Sequence, residues 1–220
     1  MAPVTEVAFL PVRPGVNILD TSIPEGQVMD NMLKVGKVAP GVTKNYYAVE
    51  EENASHVHLL LDWESIEAHK TYQARPEYPE FLAAAHSMID PSQIAEGCHV
   101  YFDPHPPSNA LYSPVTEILR AYFFVEKVQK EGLAFEAGLK KLLAALKAAQ
   151  VAGYTGEVSS GWSVEELPRD GKQYKLFVAF IGWESVAAHA AASKTDVFLE
   201  NVGTISPDII TVSHATFKSP

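Results

Sequence analysis

The 220-residue sequence has a single cysteine, Cys98, and few basic residues. One cysteine excludes an intrachain disulfide, which is typical of a reducing compartment. The 17 Lys and Arg are outnumbered by 27 Asp and Glu, which gives a net charge of −10. Nucleic acids and anionic membranes both attract basic surfaces, so the charge argues against either as a partner.

Long hydrophobic runs and the common nucleotide-binding motifs are also missing. Charged residues interrupt the apolar stretches within about ten residues, too few to span a bilayer. Residues 1–6 show no basic region leading into an apolar run, so no signal peptide is predicted. The glycines at 153, 156 and 161 do not form a dinucleotide fingerprint, and neither a P-loop nor a serine nucleophile elbow occurs. We therefore expect a cytoplasmic protein without a nucleotide cofactor.

Three motifs occur twice in the same order, which indicates an internal duplication. The first half contains Pro-Val-Thr-Glu at 3–6, Trp-Glu-Ser-x-x-Ala-His at 63–69 and a His-x-x-Phe pattern at 99–102. The second half repeats them at 114–117, 183–189 and 214–217. A proline-rich stretch between the halves is typical of a stiff linker. The sequence therefore predicts a first half over 1–103, a linker over 104–113 and a second half over 114–220.

Each half is predicted to contain the elements β-α-β-β-α-β, the split βαβ arrangement. Ser22 and Glu25 match a capping box, and Ser65 and Ser185 are suitable N-caps for the second helix of each half. Helices cover one face of such a sheet, and the other apolar face must also be covered. The predicted fold class is α+β, with two tandem ferredoxin-like units packed sheet to sheet. The predicted strands are 5–12, 43–49, 56–63, 116–124, 154–158 and 174–183, with a last strand in each half that carries His99 or His214.

An apolar strand that ends in Trp and is followed by Glu-Ser-x-x-Ala-His resembles the dimeric α+β barrel superfamily. The pattern is most similar to its antibiotic-biosynthesis-monooxygenase-like branch, especially the tandem-repeat type known from fungi. The resemblance implies an intramolecular dimeric α+β barrel. It also implies a choice among cofactor-independent oxygenases of aromatic polyketides, polyketide cyclases, haem-degrading enzymes, decarboxylases and stress proteins without known activity.

Two positions depart from that family. Its oxygenase and haem-degrading branches use an Asn in the first strand, which neither half contains. Plant-type polyketide cyclases place a catalytic His where this chain has Tyr78. A tyrosine, with a pKa of about 10, could position or protonate an enolate but would not act as a base at neutral pH.

The strand over 56–63 differs most between the halves and supplies the first site candidates. His58 and Asp62 share one face of it, and the matching residues of the second half are Val178 and Gly182. Histidine titrates near neutrality, so His58 and Asp62 are predicted to be catalytic, in a pocket of the first half that faces the barrel interior. The alternative is that His58 is a hydrogen-bonded interior histidine without a catalytic role.

Two further histidines have counterparts in both halves. His69 is a catalytic candidate and His99 a substrate-binding one, but repetition as His189 and His214 favours a shared structural role, such as tying a helix start to a strand. No Cys or His cluster has zinc spacing, so no metal site is predicted.

Aromatic residues of the first half complete the candidate site. Tyr78 is predicted to be catalytic, and the substrate-binding candidates are Tyr46, Tyr47, His56 and Tyr72. Pro76 and Pro79 interrupt the segment after Trp63, which forms either a lid or a neutral insertion.

These features predict a cofactor-independent tailoring enzyme of secondary metabolism. Its substrate would be a hydrophobic aromatic or polyketide-like molecule, and its reaction a cyclisation, rearrangement or oxygenation. The alternative is a non-catalytic small-molecule-binding or stress-response protein on the same fold. The sequence leaves open whether the chain also forms a homodimer.

Overall fold

The structure is a computed structural model that describes residues 2–203 and 206–220. The chain divides into two compact units. Unit 1 comprises the residues up to His99 together with Phe217–Pro220, and unit 2 comprises Val100–Thr216.

Unit 1 contains a four-stranded antiparallel sheet with helices on one face. Its strand order is β2-β3-β1-β4, and β1 pairs with β3 so that Val4 lies opposite Trp63. This is the predicted β-α-β-β-α-β topology, with the second helix divided in two by the turn that contains Pro76. The elements are β1 (Val4–Pro11), α1 (Pro24–Val38), β2 (Val42–Val49), β3 (His56–Trp63), α2 (Ile66–Gln73), α3 (Tyr78–Met88) and β4 (Glu96–Val100).

Unit 2 repeats this topology with additions. Its strand order is β6-β8-β5-β9, with the short β7 paired to β8, so the four main strands follow the same order as in unit 1. The predicted duplication of one α+β unit is thereby confirmed. The elements are α4 (Ser108–Leu111), β5 (Val115–Phe124), α5 (Leu133–Ala148), β6 (Tyr154–Trp162), β7 (Leu167–Arg169), β8 (Lys172–Trp183), α6 (Val186–Ala192), α7 (Asp196–Asn201) and β9 (Ile209–Ala215).

The predicted helix starts are confirmed at two of three positions. The hydroxyls of Ser65 and Ser185 accept hydrogen bonds from the backbone N–H three residues on, as N-caps do. The capping box at Ser22 is wrong. Helix α1 begins one residue later, at Pro24, because proline suits the first helical position. The Ser22 hydroxyl instead donates to Asp20 at 2.6 Å.

The boundary between the units differs from the predicted one. Asp103 pairs with Ser160 of unit 2 through two backbone hydrogen bonds of 2.9 and 3.2 Å, so unit 2 begins before the predicted linker, which itself contains α4. At the other end of the chain, the backbones of Lys218 and Tyr47 exchange two hydrogen bonds of 2.9 Å. These bonds add the C-terminal residues to the β2 edge of the unit 1 sheet.

The two faces of β3 have the predicted assignment. Val57 and Leu59 pack with Met29 of α1 and Met88 of α3, on the face that the helices cover. His58 lies on the opposite face and is 1% exposed. In unit 2, Leu176, Val178 and Phe180 are fully buried, as expected for an aliphatic and aromatic interior. Within the described part of the chain, no helix has the length and apolarity needed to cross a membrane.

Candidate functional site

A cavity of about 250 Å³ lies between the sheet of unit 1 and its helices. We call it the unit 1 cavity. Small residues line it on every side, and their missing side-chain volume leaves the space open where larger residues would pack it to normal protein density. These small residues are Ala8, Ala39, Ala85, Ala95 and Gly97.

Aromatic rings form one wall of the unit 1 cavity. The rings of Trp63 and Tyr72 lie 5.6 Å apart, and those of Tyr72 and Tyr78 meet edge to face at 5.8 Å. Phe81 continues the series at 6.1 Å from Tyr78. Such spacings are favourable for aromatic pairs, and the wall offers a flat ligand further stacking and edge contacts.

A group of ionisable side chains borders the cavity beside Trp63. The Trp63 indole N–H donates to Oε2 of Glu6 at 2.9 Å, and Nε2 of His69 lies 3.6 Å from the same oxygen. The His69 ring stacks on Trp63 with centroids 4.4 Å apart and planes 15° from parallel. On its other side, Nδ1 of His69 is hydrogen-bonded to Nε2 of His99 at 2.7 Å, with the donor set by the tautomer. The imidazole of His69 is thus held by three neighbours.

The two tyrosines of the wall are poor bases in this setting. Burial in a largely apolar environment raises the pKa of Tyr72, and the same cause raises the pKa of Tyr78. Both phenols therefore stay protonated at neutral pH and can donate hydrogen bonds to a ligand. Proton removal has to come from another group, and Glu6 and His69 border the same cavity.

The structure brings together some of the predicted site residues. His69, Tyr72 and Tyr78 line the unit 1 cavity, and His99 lies directly behind His69. Tyr46 borders it as well, although its hydroxyl donates to Oδ2 of Asp62 at 3.2 Å on the other face of the sheet. His58, Asp62, His56 and Tyr47 are not among the lining residues.

Asp62 belongs to a buried network on the sheet face opposite the cavity. Its Oδ1 accepts from the Thr5 hydroxyl at 2.6 Å, and its Oδ2 accepts from Tyr46. In unit 2 the matching residue is Gly182, and a β-carbon there would collide with the hydroxyls of Ser113 and Thr155. Serine and threonine side chains thus occupy the space that a carboxylate takes in unit 1.

His58 is paired with a buried carboxylate. Its Nε2 lies 2.9 Å from Oε1 of Glu50, and Nδ1 of His56 lies 2.8 Å from Oε2 of the same residue. The prediction placed a pocket on this face of β3. The unit 1 cavity lies on the other face, because the gap arises between the sheet and its own helices.

Sequence reasoning missed two polar residues of the cavity. Glu6 stands in the repeated Pro-Val-Thr-Glu motif, and repetition of its carboxylate as Glu117 was a signal that could have identified it. Asn45 lines the cavity from β2, and its amide nitrogen donates to the carbonyl of Leu33 at 3.1 Å. The first strand carries no Asn, but the second strand brings one to the cavity.

Unit 2 contains the same ionisable group. Trp183 donates to Oε2 of Glu117 at 2.8 Å, and Nε2 of His189 is 3.5 Å from that oxygen. His189 stacks on Trp183 at 4.7 Å and is hydrogen-bonded to His214 at 2.8 Å. Burial raises the pKa of Glu117 to about 7. Among residues 2–203 and 206–220, no three His, Cys, Asp or Glu side chains are grouped so that they could hold a metal ion.

Comparison with known proteins gives similarity in fold alone. No protein-family model matches the chain, and no curated protein matches it. Among solved structures, an anthrone oxidase-like protein superposes with a TM-score of 0.63 at 12% identity, covering 100% of this chain and 94% of that one. A candidate monooxygenase from Fusobacterium nucleatum gives 0.57 at 11% identity, covering 99% and 94%. A candidate chlorite dismutase gives 0.57 at 11% identity, covering 98% and 95%. The chain therefore has the α+β fold of these proteins.

Proposed function

We propose that the chain is an oxygenase that oxidises an aromatic small molecule in the unit 1 cavity with molecular oxygen and without a bound cofactor. The observation that carries this proposal is that the aromatic wall and the Glu6–His69 pair line the same cavity. Fold similarity to an anthrone oxidase-like protein and to a candidate monooxygenase supports the reaction class.

The cavity suits a flat hydrophobic substrate of modest size. Its volume of about 250 Å³ is slightly below the range of about 300–1,000 Å³ that is usual for small-molecule sites. Stacking on the wall would fix such a ligand in one orientation, with an edge toward His69. We therefore propose a tricyclic compound of the anthrone type, in which a CH2 group lies between two aromatic rings and opposite a ring carbonyl that stabilises its carbanion as an enolate.

The reaction needs a base and a pocket that excludes water and orients the substrate. His69, held by Glu6, Trp63 and His99, takes a proton from the CH2 group, and the aromatic rings delocalise the resulting carbanion. Oxygen accepts electrons from this anion and bonds to the carbon, and the peroxide takes the proton back from His69 to become a hydroperoxide. Its O–O bond and the remaining C–H bond then break, which releases water and leaves a C=O group. The CH2 group and one O2 thus become one carbonyl and one water. Tyr78 and Tyr72 donate hydrogen bonds to the substrate oxygen, where negative charge develops.

The test is aerobic incubation of the purified protein with anthrone, followed by detection of anthraquinone and of label from isotopic oxygen by mass spectrometry. Gly97→Leu should block turnover, because Gly97 lines the cavity at an exposed position and a β-carbon there meets no atom within 4 Å, so a leucine fits without a clash and obstructs the cavity entrance. Ala83→Leu, on the exposed face of α3, is the matched control and should keep full activity. If anthrone binds but no product forms in the unmodified protein, the alternative of a non-catalytic binding protein is favoured.

A further inference from the structure

A second cavity, of about 640 Å³, lies in unit 2 between the sheet and α5. We call it the unit 2 cavity. In unit 1 the 11-residue helix α3 follows α2 over the equivalent face, whereas α7 of unit 2 has only 6 residues. The shorter helix leaves more of the sheet uncovered. Ile210 and Val212 of β9 line this cavity and are 50% and 46% exposed, so one side of its mouth is apolar, while the exposed Lys141 and Glu200 also border it.

The walls of the unit 2 cavity differ chemically from those of unit 1. Helix α5 contributes a row of leucines, and Leu119 and Ile181 form the floor. The position that matches Tyr72 is Ala192, which removes one ring and one hydroxyl from the wall. The surface is therefore mainly aliphatic. The leucines are Leu139, Leu142, Leu143 and Leu146.

The inner end of the unit 2 cavity is polar. Glu117 and His189 both line it, 3.5 Å apart, with Trp183 hydrogen-bonded to the carboxyl group. The Glu117 side chain is 7% exposed, and burying a carboxyl group at the end of an apolar cavity is costly unless polar partners compensate. A ligand hydroxyl could both donate to the carboxylate and accept from the imidazole, which would add such partners.

We propose that unit 2 holds a second ligand site that binds an aliphatic alcohol of medium chain length, with its chain along the α5 leucines and its hydroxyl at Glu117 and His189. This site is separate from the oxygenase site proposed for unit 1. The proposal concerns binding alone and includes no reaction of the ligand. Its ligand class differs because the unit 2 walls are mainly aliphatic, whereas unit 1 has a continuous aromatic wall.

Calorimetric titration of the full chain with n-decanol tests the proposal. We expect saturable binding of one equivalent. Gly138→Leu should weaken it roughly tenfold or more, the usual effect of steric misfit in an apolar pocket. Gly138 lines the cavity, and a β-carbon there meets no atom within 4 Å, so this variant should fold. Ala144→Leu, on the exposed face of the same helix, is the matched control.

Two further measurements locate the ligand and its hydroxyl. Gly97→Leu, which alters a residue that lines the unit 1 cavity, should leave n-decanol binding unchanged and thereby separate this site from the one in unit 1. Decyl methyl ether, which cannot donate a hydrogen bond, should bind more weakly than n-decanol. The proposal is overturned if n-decanol does not bind, if Gly97→Leu abolishes binding while Gly138→Leu retains it, or if the ether binds as tightly as the alcohol. None of these results depends on whether unit 1 oxidises anthrone.

Discussion

The indole N–H of Trp63 donates to Oε2 of Glu6 across a diagonal of the β1–β3 ladder. The direct cross-strand partner of Trp63 is Val4, and that of Glu6 is Leu61. The diagonal bond holds the carboxylate at the edge of the tryptophan ring, next to His69, which stacks on the ring face. Because Trp183 and Glu117 repeat the arrangement in unit 2, each unit has a carboxylate fixed at the end of its third strand.

Replacement of His69 by Phe should lower turnover of anthrone sharply. A phenyl ring can still stack on Trp63, but it has no nitrogen to accept the substrate proton. Loss of a general base typically reduces the rate by about 10²–10⁴-fold, and we expect the loss in kcat with little change in KM. Steady-state kinetics of anthraquinone formation measures both constants.

His58→Phe provides the comparison for that experiment. His58 lies on the sheet face away from the unit 1 cavity and pairs with the buried Glu50. Its replacement should lower the melting temperature, because Glu50 loses a partner, while kcat is retained. The opposite pattern, with activity lost in His58→Phe and kept in His69→Phe, would support the catalytic role that the sequence predicts for His58.

Tyr78→Phe should weaken anthrone binding without disturbing the aromatic wall. The ring contacts to Tyr72 and Phe81 remain, and only the hydroxyl is lost. A neutral hydrogen bond contributes about 0.5–1.5 kcal/mol, so Kd should rise a few-fold to about tenfold. Since burial raises the pKa of Tyr78, wild-type Kd should not change with pH through the neutral range on account of this residue. Equilibrium titration under anaerobic conditions measures Kd, with Tyr101→Phe, at a half-exposed position, as the control.

Glu117 should make the stability of the protein depend on pH. Its pKa is about 7 in the folded state, against 4.5 for the ordinary side chain, so the folded state binds the proton more tightly. The free energy of unfolding should therefore fall as pH rises from about 4.5 to about 7, by at most about 3 kcal/mol. Glu117→Gln keeps an acceptor for Trp183 and removes the ionisation.

Urea denaturation of wild type and Glu117→Gln across this pH range is the measurement. The variant should be increasingly more stable than wild type as the pH increases. A constant difference between the two proteins would mean that Glu117 titrates at its ordinary pKa. Glu6→Gln is the matched substitution in unit 1. It shows how much the carboxylate of the repeated Pro-Val-Thr-Glu motif changes the pH dependence of the free energy of unfolding in that unit.

Asp62→Ala should destabilise the protein, because two buried hydroxyl groups lose their hydrogen-bond acceptor. Thr5 and Tyr46 both donate to Asp62 and are fully buried, so each loses an acceptor in the variant. A buried polar group without its partner costs about 1–3 kcal/mol, and the melting temperature should fall accordingly. Adding Thr5→Val should recover part of the loss, because one of the two unsatisfied hydroxyls is then absent. Calorimetry measures the melting temperatures of the single and double variants. A larger fall in melting temperature for the double variant than for Asp62→Ala alone would contradict this explanation.

The fold was predictable because duplicated motifs and alternating strand residues record it directly in the sequence. The faces of β3 follow from the alternation of Val57 and His58 with their neighbours. The position of the cavity was not predictable in the same way. It results from small residues on separate elements, such as Ala8 on β1 and Ala85 on α3, which line one cavity only after folding. A prediction based on polar residues therefore selected His58, although the unit 1 cavity lies on the apolar, helix-covered face of β3.

The attachment of residues 217–220 to the edge of β2 has a consequence for the history of the gene. A duplicated gene can ordinarily lose one copy and leave the other intact. Here a copy that ended at the linker would lack the segment that pairs with Tyr47, and the backbone N–H and C=O of Tyr47 on the edge strand would lose these partners. Loss of the second copy should therefore remove two hydrogen bonds from the first unit, even if that copy had no function of its own. The pairing of residues 217–220 with β2 therefore makes the first unit depend on the second copy.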